Sequence, residues 1–98
     1  MGNELVFKTN LLNELEFFKL RLEKIEGNFA KKVTAERCNQ LIREAKLLLG
    51  DKVKHIEEIN ANKITEEMDL GADKTEMNEA ITHLIDLVSG ALNAELRR

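Results

Sequence analysis

The 98 residues contain no proline, tryptophan or tyrosine, a single cysteine, and four aromatic side chains that are all phenylalanine. Lack of proline removes the strongest local helix breaker from the whole chain. Without tryptophan or tyrosine, only Phe7, Phe17, Phe18 and Phe29 can supply the aromatic faces on which nucleic-acid platforms and many ligand pockets rely. Cys38 has no partner for an internal disulfide, which agrees with a reducing compartment. It falls in phase with Ala35, Ile42, Ala45 and Leu49 and is read as a small buried apolar residue, because a reactive thiol needs a nearby base and neither histidine is close in sequence. No apolar run approaches the roughly 18 residues of a bilayer-crossing helix, and no basic segment followed by an apolar stretch opens the chain. A cytoplasmic location without membrane contact is therefore expected. Met1-Gly2 fails as a myristoylation signal, since Val6 stands where Ser or Thr is required.

What is present is helical pattern. Apolar residues at 43% and charged residues at 34% are too hydrophobic a mix for disorder and too charged a mix for a membrane span. Leu11, Leu15, Phe18, Leu22 and Ile25 alternate spacings of four and three, and so do Met77, Ile81, Leu84, Val88 and Ala91. Both sets are stripes of amphipathic helices, which must close against each other, the middle of the chain or a second protein. No linker rich in Pro, Gly or Ser divides the chain, so residues 1–98 are expected to form one domain.

The expected fold is all-α: a small antiparallel helical bundle with helices near residues 10–26, 34–49, 52–69 and 74–97. Thr9 or Asn10 is expected to cap the first helix, and Gly27-Asn28 to end it. Thr34 with Glu36 marks the second start, Gly50-Asp51 a stop and restart, and Asp73-Lys74-Thr75-Glu76 a capping-box-like start for the last helix, which runs to Arg97-Arg98. Because the phase of Ala35, Ile42 and Leu49 continues to Ile56, three helices with one long middle helix over residues 34–68 are the alternative. Leu5-Val6-Phe7 has strand-like composition but no visible strand to pair with, and is read as a lead-in or an early helical turn. Small Ala35, Cys38 and Ala45 call for a large neighbour, Phe17 or Phe18. Asn60 is placed at the edge of its stripe with Ile59 turned inward. Gly90 marks either a close helix approach or an ordinary helical glycine.

Net charge is −3, but residues 1–54 hold 11 Lys/Arg against 8 Asp/Glu, and residues 55–98 hold 4 against 10. The acidity gathers between Glu57 and Glu79, where a basic partner or the basic half of another copy is the functional expectation and a solvated face the plain one. Glu57-Glu58 and Glu66-Glu67-Met68-Asp69 superficially resemble the clusters of all-α nucleoside triphosphate pyrophosphohydrolases, in which glutamates on two helices bind magnesium. The pattern departs where Asn60 or Ala61 should complete the first cluster, and the clusters are too close in sequence for separate facing helices. Asp69 to Asp73 fails as a calcium loop, whose sixth and twelfth positions here hold Lys74 and Ala80. His55 and His83 each precede a carboxylate by three residues, and Glu79 lies four before His83. Their helical phase turns them outward, as exposed helix-stabilising pairs rather than metal ligands or a base.

By elimination the expected function is a non-catalytic protein–protein interaction module, such as a small adaptor, inhibitor or assembly factor, with no cofactor. Its expected partner-binding residues are Leu5, Phe7, Leu12, Phe17 and Leu20, beside the main stripe of the first helix, the alternative being one wide stripe buried within a monomer. Self-association is expected because the core is marginal at this length and the two halves carry complementary charge. The alternatives are a nucleic-acid-binding regulator using Lys31, Lys32, Arg37, Arg43 and Lys46, ranked lower because Glu36 and Glu44 dilute that side, and a metal-dependent all-α nucleotide pyrophosphohydrolase.

Overall fold

The computed structural model describes residues 2–97, so Met1 and Arg98, half of the pair expected to balance the last helix dipole, lie outside the described residues. Three helices, α1 (Gly2–Lys24), α2 (Lys32–Leu49) and α3 (Lys74–Leu96), form the bundle. Strands β1 (Phe29–Lys31), β2 (Lys63–Ile64) and β3 (Leu70–Asp73) make a small antiparallel sheet in the order β1-β3-β2. The helical bundle is as expected, with three helices in place of four and a sheet that the sequence did not announce.

Helix α1 starts before its expected caps. Thr9 and Asn10 lie inside it, and the Thr9 hydroxyl donates back to the Leu5 carbonyl at 2.8 Å. Leu5-Val6-Phe7 is thus helical, consistent with a segment free of proline and rich in good helix formers. The helix stops at Lys24, and Gly27, at φ 84°, turns the chain into β1. Helix α2 begins at Lys32 without a side-chain cap, so Thr34 is not its start signal. It ends at Gly50, whose φ of 58° suits glycine and whose N–H reaches the Lys46 carbonyl.

Neither the helix expected over 52–69 nor the long middle helix forms. Gly50–Val53 is a single 3-10 turn, and residues 54–62 continue through turns and irregular backbone as a strap outside any helix or strand. Val53 and Ile56 are buried and Ile59 packs against the core, but Asn39 on α2 supplies the pairing that a helix would have found within itself. Its Nδ2 donates to the Ile59 carbonyl at 2.9 Å, and its Oδ1 accepts from the Ile59 N–H at 2.7 Å. Asn60 Oδ1 accepts from the Asn62 N–H at 3.0 Å, a local turn that competes with helix. Asn60 itself is exposed and Ile59 points in, as expected. Five residues, 65–69, then close the hairpin between β2 and β3, paired Lys63 to Gly71 and Ile64 to Leu70.

Strand β3 also pairs with β1, setting Ala30 opposite Ala72. At Gly71 an added Cβ would lie 2.1 Å from the Ala30 carbonyl oxygen, so only glycine permits this closeness. Asp73 caps α3 by accepting from the N–H groups of Thr75 at 2.8 Å and Glu76 at 3.4 Å, which confirms the start read from sequence. The Lys74 N–H donates to the Asn28 carbonyl at 2.9 Å and its Nζ to the Ile25 carbonyl, tying the end of α1 to the start of α3.

Leu11, Leu15, Phe18 and Leu22 of α1 meet Met77, Ile81, Leu84 and Val88 of α3 and Ala35, Cys38, Leu41, Ile42 and Ala45 of α2 in one core. Phe18, not Phe17, is the large residue in that core with the small ones of α2. Lys8 pairs with Glu95, and Glu14 lies 3.7 Å from Arg37, so α1 runs antiparallel to both partners. Gly90 is exposed with nothing near it, an ordinary helical glycine. Among the described residues no helix is long and apolar enough to cross a membrane.

Candidate functional site

The five apolar residues singled out on the first helix do not share one face. Leu5 and Leu12 are half-buried and line a groove with Leu92 and Leu96 of α3, so they belong mostly to the packing between α1 and α3. Phe7 is exposed on the other side, in a groove with Leu47 and Leu48 of α2, where Leu47 is 86% exposed. Phe17, 68% exposed, and Leu20, 54% exposed, point away from the bundle altogether.

Phe17 and Leu20 belong to a second stripe. Val6, Asn10, Asn13, Phe17 and Leu20 repeat the alternation of four and three on the side of α1 opposite Leu11, Leu15, Phe18 and Leu22. All five are exposed. Val6 was missed in the sequence because its neighbours look strand-like, although the spacing signal was present. A helix with apolar side chains on opposite faces has one face more than its own bundle covers.

A second exposed cluster lies at the hairpin. Ile64 and Leu70 are cross-strand partners exposed on the surface, and Met68, 81% exposed, sits at the tip with φ 65°. The turn is closed by the Met68 N–H to the Thr65 carbonyl and the Thr65 N–H to the Asp69 carbonyl, both 2.9 Å. That geometry puts residue 68 in the left-handed region, where glycine or asparagine is usual. Beside it lies a cleft of about 280 Å³ lined by Ile25, Phe29 and Leu70 and by Glu26, Glu66, Glu67 and Asp69. The sequence gathers Glu66, Glu67 and Asp69 but places them on a helix, and Glu26, just after α1, joins them only in the fold.

Electrostatics on the other candidates is mostly internal. Arg43 donates to Glu58 at 2.7 Å, which fastens the strap to α2 and holds that carboxyl below its ordinary range through the hydrogen bond. Arg37 bonds Gln40 at 2.9 Å and lies near Glu14, and Lys31 borders the acidic cleft, so the basic residues of α2 do not form one free stripe. Burial raises the Glu44 carboxyl, with the Glu14 charge adding to it and Arg37 opposing. Burial also pushes the Cys38 thiol up to about 12, which agrees with a packed rather than a reactive cysteine. Glu57-Glu58 stand on the strap and Glu66 to Asp69 at the hairpin, not on two facing helices as a pyrophosphohydrolase site requires.

His55 and His83 are exposed, as expected, but they pair with each other rather than with carboxylates on their own elements. Their Nε2 atoms lie 3.1 Å apart across the gap between strap and α3. They are 28 positions apart in sequence, and no local spacing could have joined them. Comparison with family models, with curated proteins and with solved structures finds no match for this chain.

Proposed function

We propose that this chain is a non-catalytic protein-interaction module that pairs with a second copy of itself through the outer face of α1. The observation that carries this is the exposure of Phe17 and Leu20 on the side of α1 that turns away from the core. Apolar surface gains roughly 25 cal/mol per Å² on leaving water, so Val6, Phe17 and Leu20 favour any contact that covers them together. A second copy suits the face for two reasons. Asn10 and Asn13 stand within the stripe, and a side-chain amide, being both donor and acceptor, satisfies its own kind across a two-fold contact while fixing register. The stripe is also flanked by both signs of charge, Glu16 and Glu23 with Arg21 and Lys24, so two copies need not repel.

The test is the mass by light scattering across a dilution series. It is expected to rise toward twice 11.2 kDa with concentration, and Phe17→Glu or Leu20→Glu is expected to hold it at 11.2 kDa. A wild-type mass of 11.2 kDa at every concentration overturns the proposal. Association that survives both substitutions places the contact elsewhere and overturns it as well.

A further inference from the structure

The His55–His83 contact is the feature for which neither the core nor the α1 surface has a use. The ring centroids are 5.2 Å apart at an interplanar angle of 88°, while the Nε2 atoms are only 3.1 Å apart. The rings therefore present their Nε2 corners to each other, not an edge to a face. Two such nitrogens are held together either by one shared proton or by one shared metal ion. For metal–nitrogen bonds of about 2.0–2.1 Å, a separation of 3.1 Å corresponds to an N–metal–N angle of roughly 100°. That angle lies between square-planar and tetrahedral, within the range of Cu²⁺, Ni²⁺ and Zn²⁺.

The surroundings favour a cation. The open cleft around the pair is lined by Glu57, Glu58, Glu76 and Glu79, with no lysine or arginine in its lining. Arg43 and Lys63 occupy Glu58 and Glu76, whereas Glu57 and Glu79 are in no ion pair among the described residues. Glu79 precedes His83 by one helical turn on α3, on the same side of the helix. Among the described residues no three potential ligands already converge. The two imidazoles already stand together, and the Glu79 carboxylate is the exposed group one helical turn from His83 that can supply an oxygen.

We propose that His55 and His83 bind one divalent transition-metal ion of the zinc, copper or nickel type through their Nε2 atoms, with Glu79 as an oxygen ligand and water in the remaining positions. The ion joins the start of the strap to the middle of α3. Because the two nitrogens are brought together only in the folded chain, binding stabilises the fold.

The experiment is calorimetric and thermal titration of the full chain with Zn²⁺ and Ni²⁺ at pH 7.5, with Mg²⁺ as the oxygen-preferring control. One ion per chain and a Tm rise of about 5 °C or more in excess Zn²⁺ are expected, with none for Mg²⁺. His55→Ala and His83→Ala should each abolish the rise while keeping the helical circular dichroism, since both side chains are exposed. Glu79→Gln should reduce the affinity several-fold. Absence of zinc binding in the folded wild type overturns the proposal and leaves the shared proton, visible as coupled imidazole ¹⁵N shifts, to explain the contact. Zinc binding that persists in both histidine variants overturns it too.

Discussion

Asn39 is the one buried polar residue among the described residues of the core, and its two hydrogen bonds to the backbone of Ile59 hold the strap to α2 beside the Arg43–Glu58 pair. Asn39→Ala leaves the Ile59 N–H and C=O without partners. The expected loss is about 1–3 kcal/mol in denaturant unfolding, together with faster hydrogen exchange at the Ile59 amide. Unchanged exchange there would show that the strap is held in place without Asn39. Cys38 argues the same way about accessibility. With its thiol raised to about 12 and the residue fully buried, it is expected to resist a disulfide reagent at pH 8 in the native protein and to react once denaturant unfolds it. Rapid native labelling would mean that the core opens around α2.

At the scale of elements, two glycines of similar sequence context are expected to behave oppositely. Gly71→Ala drives a Cβ into the Ala30 carbonyl between β1 and β3, and the overpacking is expected to cost about 1–3 kcal/mol or more. Gly90→Ala meets nothing within 4 Å on the exposed side of α3 and is expected to gain about 0.5–1 kcal/mol of stability. Thermal unfolding of both variants beside the wild type checks the pair, and a destabilised Gly90→Ala would reveal a contact on that face of α3. The elements themselves were unevenly legible. Stripes and terminal signals located α3 and the ends of α1 and α2, but not the start of α1, because Gly27, Gly50 and Asp73 act on backbone within a turn of themselves. Val53 and Ile56, three apart, fit a helix as well as the turn and strap they form, and groups of α2 distant in sequence, Asn39 on Ile59 twenty residues away and Arg43 on Glu58, hold the strap. The sheet was illegible for a like reason. Its strands are two to four residues long, too short for alternation to register, and the close approach that requires glycine at position 71 comes from a strand distant in sequence.

The whole molecule is a rod, 50 × 24 × 18 Å in its Cα extents. A helix of 23 residues is about 35 Å long at 1.5 Å per residue, so α1 must lie along the long axis and offer its outer face lengthwise. Pairing through that face is expected to leave the long dimension near 50 Å and widen the short ones. Small-angle scattering of the associated form checks this, and a particle close to twice as long would place the contact at the ends. The same rod separates the candidate sites. The outer face of α1, the acidic cleft at the hairpin and the cleft around the histidine pair have no residue in common, so substitutions in one are expected to leave the others intact.

By itself the sequence determined the apolar faces of the helices and the signals that start α3 and stop α1 and α2, since periodicity and capping act over neighbouring turns of one chain. It thereby settled the helical character, the inward stripes of α1 and α3 and the burial of Cys38. Only the tertiary structure decided that the segment after Gly50 is a strap and not a helix, that β1 finds a partner forty residues away, and that His55 meets His83. Those outcomes depend on groups distant in sequence offering a hydrogen bond or a vacant space, and such offers exist only once the chain has closed on itself.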